Sequence, residues 1–347
     1  MPDNHPPSAH NGSRPEWYHS IMALKRPDHA KALWQIVNTF SLYALAWGLM
    51  ILNLGGPQNA WLHMALLLVA AGLQVRIFII FHDCCHQTFF ASRRLNTLLG
   101  HICGVLTFTP YESWRRSHGI HHNTVNDLDR RGKGDVWTLT VEEYRAASRF
   151  KRIRYRMFRN PLILFIFGPA YLFLIDYRFP EKGDRSKQKR SLHLTNLGIA
   201  AFALAACWLM GWKTYLLIQL PIILIAGAFG VWLFYVQHQF DGVYWARHKA
   251  WDPMRAALEG SSFYRLPKLL QWFSGNIGFH HIHHISPRIP NYHLEQCHDI
   301  LVSWQAIKAL NLRRSLHSLR LKLWDEQHNR LVGFGAVKTH TPMHPSS

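Results

Sequence analysis

Three stretches carry histidines at spacings that suit shared chemistry: His82-Asp83-Cys84-Cys85-His86, His118-Gly119-Ile120-His121-His122 and His280-His281-Ile282-His283-His284. The first reads HxxxH; the second and third read HxxHH. On a helix, residues three and four apart share a face, so each stretch can aim two or three imidazoles at one point. One such pair is usually a surface accident, but three in one chain with long apolar segments point to a metal site. Imidazole suits zinc, copper, iron and nickel. The spacings select His82, His86, His118, His121, His122, His280, His283 and His284, and His238, at the end of an apolar run, makes a ninth. A tetrahedral zinc takes four ligands, so nine neutral nitrogen donors exceed one metal and suffice for two, with about four or five each. Such a pair would be a di-iron arrangement in which histidine replaces the carboxylates of ferritin-like sites. His281 falls outside the HxxHH pattern and is expected to support or stack on a ligand.

Two other chemistries compete. A zinc hydrolase needs a carboxylate base beside an open metal position. Asp83 and Glu112 are the nearest carboxylates, and both read equally well as acceptors that hold imidazole N–H groups. A metal transporter needs polar ligands inside its spans, where only scattered Asn38, His63, Gln74 and Asn196 occur.

The elements that must position these histidines are membrane helices. The 347 residues mix long apolar runs with basic polar segments, which leaves mean hydropathy near zero at -0.09. Apolar runs at about 33–54, 60–81, 192–210 and 215–236 are long enough to cross the ~30 Å hydrocarbon layer. Gly55-Gly56-Pro57 and Gly211-Trp212-Lys213 make the short turns, so the chain reads as two helical hairpins. The net charge of +19 would suggest nucleic acid in a soluble protein. Here Lys and Arg concentrate between apolar runs, as cytoplasmic loops require, and the fourteen Trp suit interface belts. That reading puts all three stretches and both termini in the cytoplasm and excludes nucleic acid as a partner.

The fold class expected is an all-α integral membrane protein: four transmembrane helices under a cytoplasmic helical cap that holds the histidines. Residues 1–16 read as a disordered tail without a cleavable signal peptide, 17–335 as a single domain, and 336–347 as a flexible tail. Residues 17–32 are expected to lie on the membrane through Trp17, Tyr18, Ile21 and Met22. The runs 98–110 and 161–177 are expected at the interface, the first too short to span and the second broken by Gly168-Pro169. Arg76, inside the second span, is expected to snorkel rather than to face the metals. Ile300, Leu301, Trp304 and Ile307, then Leu312, Leu316, Leu319 and Leu323, repeat at helical spacing. Cys84, Cys85, Cys103, Cys207 and Cys297 form no CxxC pair, and no disulfide framework, Fe–S run or flavin-type GxGxxG is present.

The chain resembles the membrane fatty-acid desaturase superfamily, with the nearest likeness to its acyl-lipid omega-6 (Δ12) branch, which includes bacterial lipid desaturases. The resemblance rests on FHDCCHQTFF at 81–90, TPYESWRRSHGIHH at 109–122, GDVWTLTVEEY at 134–144, YVQHQF at 235–240 and GNIGFHHIHHISPRIPNY at 275–292. It covers roughly residues 30 to 335. It implies two iron ions, O2 and two electrons from an external donor, ferredoxin being the expected one. By motif it makes His82, His86, His118, His121, His122, His238, His280, His283 and His284 the ligands.

Two positions depart from the pattern. Cys85 stands where this branch often has Gly. Phe234 stands one turn before His238, where animal acyl-CoA desaturases place Asn, which weakens the likeness to that branch and its substrate. The chemistry fits the role, because taking hydrogen from an unactivated methylene needs a very strong oxidant, and an iron pair acting with oxygen is one. The acyl chain of a membrane lipid would lie in an apolar tunnel walled by the second and fourth spans, with its headgroup on a basic surface where Arg115 and Arg116 are candidates. Hydroxylation and ketolation begin with the same hydrogen abstraction, and only the flanking resemblance favours a cis double bond over them.

Overall fold

The computed structural model describes residues 15–339. Among these, four helices are long and apolar enough to cross a membrane: His29–Gly55, Ala60–His86, Ser186–Met210 and Trp212–His238. They are called here the first to fourth spans. Each extends beyond its apolar run at the histidine end. Polar residues continue the helix there because backbone bonding and packing against a cap favour it once water is excluded. His82 lies roughly 33 Å along the axis from Ala60, just past the hydrocarbon thickness. The second span therefore delivers His82 and His86 to the membrane boundary, and the fourth delivers His238.

Local sequence sets the helix ends. Asp28 and Asn59 cap the first two spans by accepting from the backbone N–H of Lys31 and Leu62. Gln87, in the left-handed region at φ 61°, stops the second span, and its N–H returns to the carbonyls of Asp83 and Cys84. Inside the bundle, Tyr43, Trp47 and Met50 of the first span pack on Leu73, Ile77 and Phe81 of the second and on Ile218 and Ile222 of the fourth. Outside it, Trp61, Leu52, Leu204 and Trp208 are exposed, an apolar surface that only lipid would cover.

Arg76 does not snorkel. Its side chain is buried, with Nε donating to Thr39 Oγ1 at 3.0 Å and Nη1 to the Trp272 carbonyl, and its guanidinium lies 4.3 Å over the Trp272 ring. It faces no histidine of the three stretches either. The cap descends onto the span at this point and supplies the acceptor, which removes the reason to reach for headgroups.

Helix Arg93–Leu106 is too short to cross; it buries Asn96, Gly100, Cys103 and Gly104 and exposes Leu95, Leu98 and Ile102. Residues Arg149–Phe158 and Ile163–Arg178 form a pair bent by 65°, with a π-helical segment at Ile163–Phe167 that packs on the fourth span.

The cap differs from expectation in three places. Helix Glu16–Ala23 turns its expected membrane anchors into the cap: Trp17 and Ile21 are buried against Ile282, Leu294, Cys297 and Leu301, and Tyr18 and Met22 pack beside them. Helix Leu294–Val302 ends before Trp304, and Leu312–Leu323 is not one helix. A turn at Leu312–Ser315 and a 3₁₀ segment at Leu316–Arg320 lead into a strand at Leu323–Asp325. Arg159 donates to the Leu321 carbonyl at 2.8 Å and Tyr235 to the Ser318 carbonyl at 2.9 Å, taking acceptors a helix would have used.

The strand pairs parallel with Leu139–Thr140 and antiparallel with Arg330–Val332, and Phe263–Arg265 pairs parallel with Ala309–Asn311. These short sheets sit within an otherwise helical protein. The chain stays regular through helix Ala336–Thr339, whose Val337 packs beside Tyr144 and Leu323. Residues 1–14 and 340–347, most of the two expected tails, lie outside the described residues.

Candidate metal centre

All nine histidines selected from the sequence converge, and they do so as two groups. His82, His86, His118, His122 and His283 bring one nitrogen each within 4.8 Å of one another; His121, His238, His280 and His284 do the same. Helical geometry explains the division. In helix Tyr111–Thr124, His118 and His122 are four apart and share a face, whereas His121 is turned about 100° from its neighbour. In the short helix His280–Ile285, His280 and His284 share a face and His283 is turned away. Each HxxHH stretch therefore gives two imidazoles to one group and one to the other, in opposite senses.

The Nε2 atoms meet head to head. His82 Nε2 lies 3.0 Å from His118 Nε2, and His122 Nε2 lies 3.1 Å from His118 and 2.9 Å from His283. In the second group His280 Nε2 lies 2.9 Å from His238 and 3.0 Å from His284. Acceptors on the opposite ring nitrogen fix three of these rings. Asp83 Oδ1 holds His82 Nδ1 at 3.1 Å, Asp135 Oδ1 holds His121 Nδ1 at 2.6 Å, and the Gly260 carbonyl holds His238 Nδ1 at 3.4 Å. With the proton on Nδ1, Nε2 carries a bare lone pair. His121 Nε2 is buried and has no hydrogen-bond partner. Buried lone pairs pointing at one another are stable only around a cation, so the donor set fits two metal ions of the kind imidazole binds, iron included.

The surroundings keep the rings neutral. Burial, and then the neighbouring imidazoles, push His118, His122, His280, His283 and His284 well below the ordinary histidine range. Trp114 stacks on His118 with centroids 4.2 Å apart, and Phe234 lies 5.3 Å from His121 and 5.1 Å from His238. An aromatic ring thus stands beside each group.

The carboxylates divide. Asp83 Oδ2 accepts from the Asn291 backbone N–H at 2.6 Å and from Asn291 Nδ2 at 2.8 Å, so it ties the second span to the segment after the third stretch. Glu112 does not hold an imidazole; Lys187 at 3.0 Å and Arg115 at 3.8 Å engage it, while Arg116 pairs with Asp184 at 3.3 Å. The two arginines are ion-paired rather than free for a headgroup. His281 stands outside both groups, with Nε2 at 3.1 Å from His298 Nδ1, and burial pushes it down to about 3.

Asp135 and Gly260 were not singled out in the sequence. Asp135 sits in the GDVW segment, where a lone Asp has no spacing signal, and a backbone carbonyl has none at all. Of the scattered polar residues in the spans, Gln74 accepts from Tyr43 at 2.7 Å and Asn196 from Arg178 at 2.6 Å, structural roles that do not line a path.

Four apolar helices, with nine converged imidazoles at one end, define a membrane protein built to hold metal in its cap. The family follows from comparison: a profile of the fatty acid desaturase family matches residues 59–313, and the chain belongs to that family. It is 50% identical over 323 residues to a fatty acid desaturase of Bacillus subtilis, covering 93% of this chain and 91% of the relative. It is 27% identical over 289 residues to an sn-1 oleoyl-lipid 12-desaturase of Synechocystis, covering 75% of each. An sn-2 acyl-lipid omega-3 desaturase (ferredoxin) of Arabidopsis thaliana is 28% identical over 253 residues, 68% of this chain and 54% of that one. The chain is an oxidoreductase, a desaturase acting on lipid acyl chains, and the likeness to bacterial acyl-lipid desaturases read from its motifs holds.

Proposed function

We propose that this desaturase introduces a cis double bond into the acyl chain of a membrane lipid at a di-iron centre, using O2 and two electrons from a separate ferredoxin-type donor. The observation that carries the proposal is the division of the nine imidazoles into groups of five and four with bare Nε2 atoms facing inward. His82, His86, His118, His122 and His283 would hold one iron, and His121, His238, His280 and His284 the other. When bound, the pair supplies the oxidising power that an unactivated methylene demands. The chain's own residues do the rest. Asp83, Asp135 and the Gly260 carbonyl keep the Nδ1 protons in place and so fix the ring orientations. Trp114 and Phe234 exclude water beside the ligands.

The basic segments at residues 82–191 and after His238 favour a four-span, multi-pass topology with the histidines and both termini in the cytoplasm. Residues 17–335 would act as one catalytic domain. A basic cap also suits an acidic electron carrier, and one relative is named for ferredoxin. The lipid substrate is favoured by relatives named as acyl-lipid desaturases. Expression in a host with saturated lipids, followed by gas chromatography of its fatty acids, tests the reaction. A new cis alkene is expected; a hydroxy fatty acid as the main product would refute it. Metal analysis of the purified protein should find about two irons per chain, given the ligand count. Stoichiometric zinc, persisting after anaerobic iron reconstitution, would refute the centre.

A further inference from the structure

We infer that a groove between helix Arg93–Leu106 and the third span is a binding site for an anionic phospholipid of the surrounding bilayer. The groove is open along one side, has a volume of about 600 Å³ and is lined by Arg93, Arg94, Leu98, Val105, Leu194 and Thr195, with Thr97 and His101 between them. That volume falls in the range of small-molecule sites. Its shape follows from one residue. A Cβ at Gly198 would meet Val105 Cγ2 at 2.6 Å, so the glycine lets the two helices touch there. Arg93 and Arg94 lie about 18 Å from that crossing along the short helix, and His101 Nε2 stays 3.4 Å from Ser191 Oγ of the third span partway along.

The two ends differ chemically. Arg93 and Arg94 are exposed and meet no carboxylate among the described residues. Leu98, Val105 and Leu194 supply an apolar wall that continues onto the lipid-facing surface at Leu197. Between the ends, Thr195 is 1% exposed and its Oγ1 has no hydrogen-bond partner. A paired cationic head, an unsatisfied hydroxyl and an apolar floor match an amphiphile with a phosphate, a glycerol ester and an acyl chain. Arginine binds phosphate with two N–H groups, and basic pockets between membrane helices hold anionic headgroups.

The groove is separate from the histidines but bears on them. His101 lies 4.8 Å from the Tyr111 ring, which is fully buried and donates from its hydroxyl to the Cys84 carbonyl at 2.7 Å. Tyr111 walls the groove off from the end of the second span while passing its packing to it. A lipid wedged here would brace the helix end that carries His82 and His86. The inference rests on the membrane setting and does not depend on the reaction.

Native mass spectrometry of the full chain in a neutral detergent tests it, with phosphatidylglycerol and phosphatidylcholine of identical acyl chains. Wild type should retain one phosphatidylglycerol, in preference to phosphatidylcholine by about 25-fold, from two arginines each worth about fivefold near an anionic headgroup. Arg93→Gln with Arg94→Gln should bind the two lipids equally, and Leu194→Trp should retain neither. Both arginines are exposed, so the double variant keeps the test alive if the tryptophan variant fails to fold. Equal retention by wild type, or a preference that survives in the double variant, would overturn the inference. Displacement of the lipid by millimolar inorganic phosphate would also overturn it, as the mark of a free-anion site.

Discussion

Replacing Asp135 with alanine should unload one metal and spare the other. Asp135 touches only the second group, through the 2.6 Å contact to His121 Nδ1, and the first group keeps its own support in Asp83. Without the carboxylate, His121 loses its tautomer lock and its ring orientation, and the buried Nδ1–H is left without an acceptor. Loss of such a partner lowers metal affinity by about 10–100-fold. At limiting iron, content should therefore fall from two per chain toward one, with the remaining ion bound as in wild type. Asp135→Asn, which keeps an acceptor oxygen but not the charge, should fall between.

Asp83→Ala makes the contrast. It removes support from the first group and also strands two Asn291 donors, at about 1–3 kcal/mol for each unsatisfied buried group. It should lower thermal stability in detergent as well as iron content, and by more than Asp135→Ala, which strands only the His121 Nδ1–H. Iron titration monitored by plasma emission, with a parallel melt of the metal-free protein, separates the two. If Asp135→Ala loses both irons equally, or neither, the division into two groups is wrong.

His121→Ala should abolish new alkene formation in expressing cells, because it removes one of only four donors in its group; retained activity on gas chromatography would count against its role. Acid should destabilise the metal-free cap from about pH 6.5 downward. His281 is held at about 3 when folded, so the unfolded chain binds the extra proton between these values; stability is full above the unfolded pKa and is lost as pH falls. A melt series from pH 8 to 4 checks the sign, and His281→Phe should make it shallower by one group's share, the depressed histidines of the two groups supplying the rest. Gln58→Cys should react with an impermeant thiol reagent from outside, and Arg131→Cys should not; the reverse would invert the topology. Electron transfer from ferredoxin should slow as salt rises, whereas turnover of the pure protein with NAD(P)H alone would show that no separate donor is needed.

The spacing of the histidines made eight of the nine converging residues legible, because a helical period converts i, i+3 and i+4 directly into direction; His238 was read from its place at the end of an apolar run. The apolar runs likewise gave the four spans to within a few residues at their lipid-facing ends. Their histidine ends ran longer than hydropathy allows, since His82 and His86 are polar but packed under a cap. Arg76 misled for the same reason: a charged residue in an apolar run signals snorkelling only if no carbonyl from elsewhere reaches it, and Trp272 does. Leu312, Leu316, Leu319 and Leu323 kept a helical period that the fold breaks, because Arg159 and Tyr235 compete for the carbonyls at Ser318 and Leu321. Asp135 and the Gly260 carbonyl were invisible, as a partner 14 or 22 residues away leaves no periodic trace.

The opposed division of the two HxxHH helices has a mechanical meaning. Neither helix belongs to one group: Tyr111–Thr124 gives two rings to the first and one to the second, and His280–Ile285 gives the reverse. A rotation of either helix about its axis must move ligands at both positions together, as meshed gears do. The spacing between the two groups of imidazoles is then tied to the turn of one residue, His121 to His122 and His283 to His284.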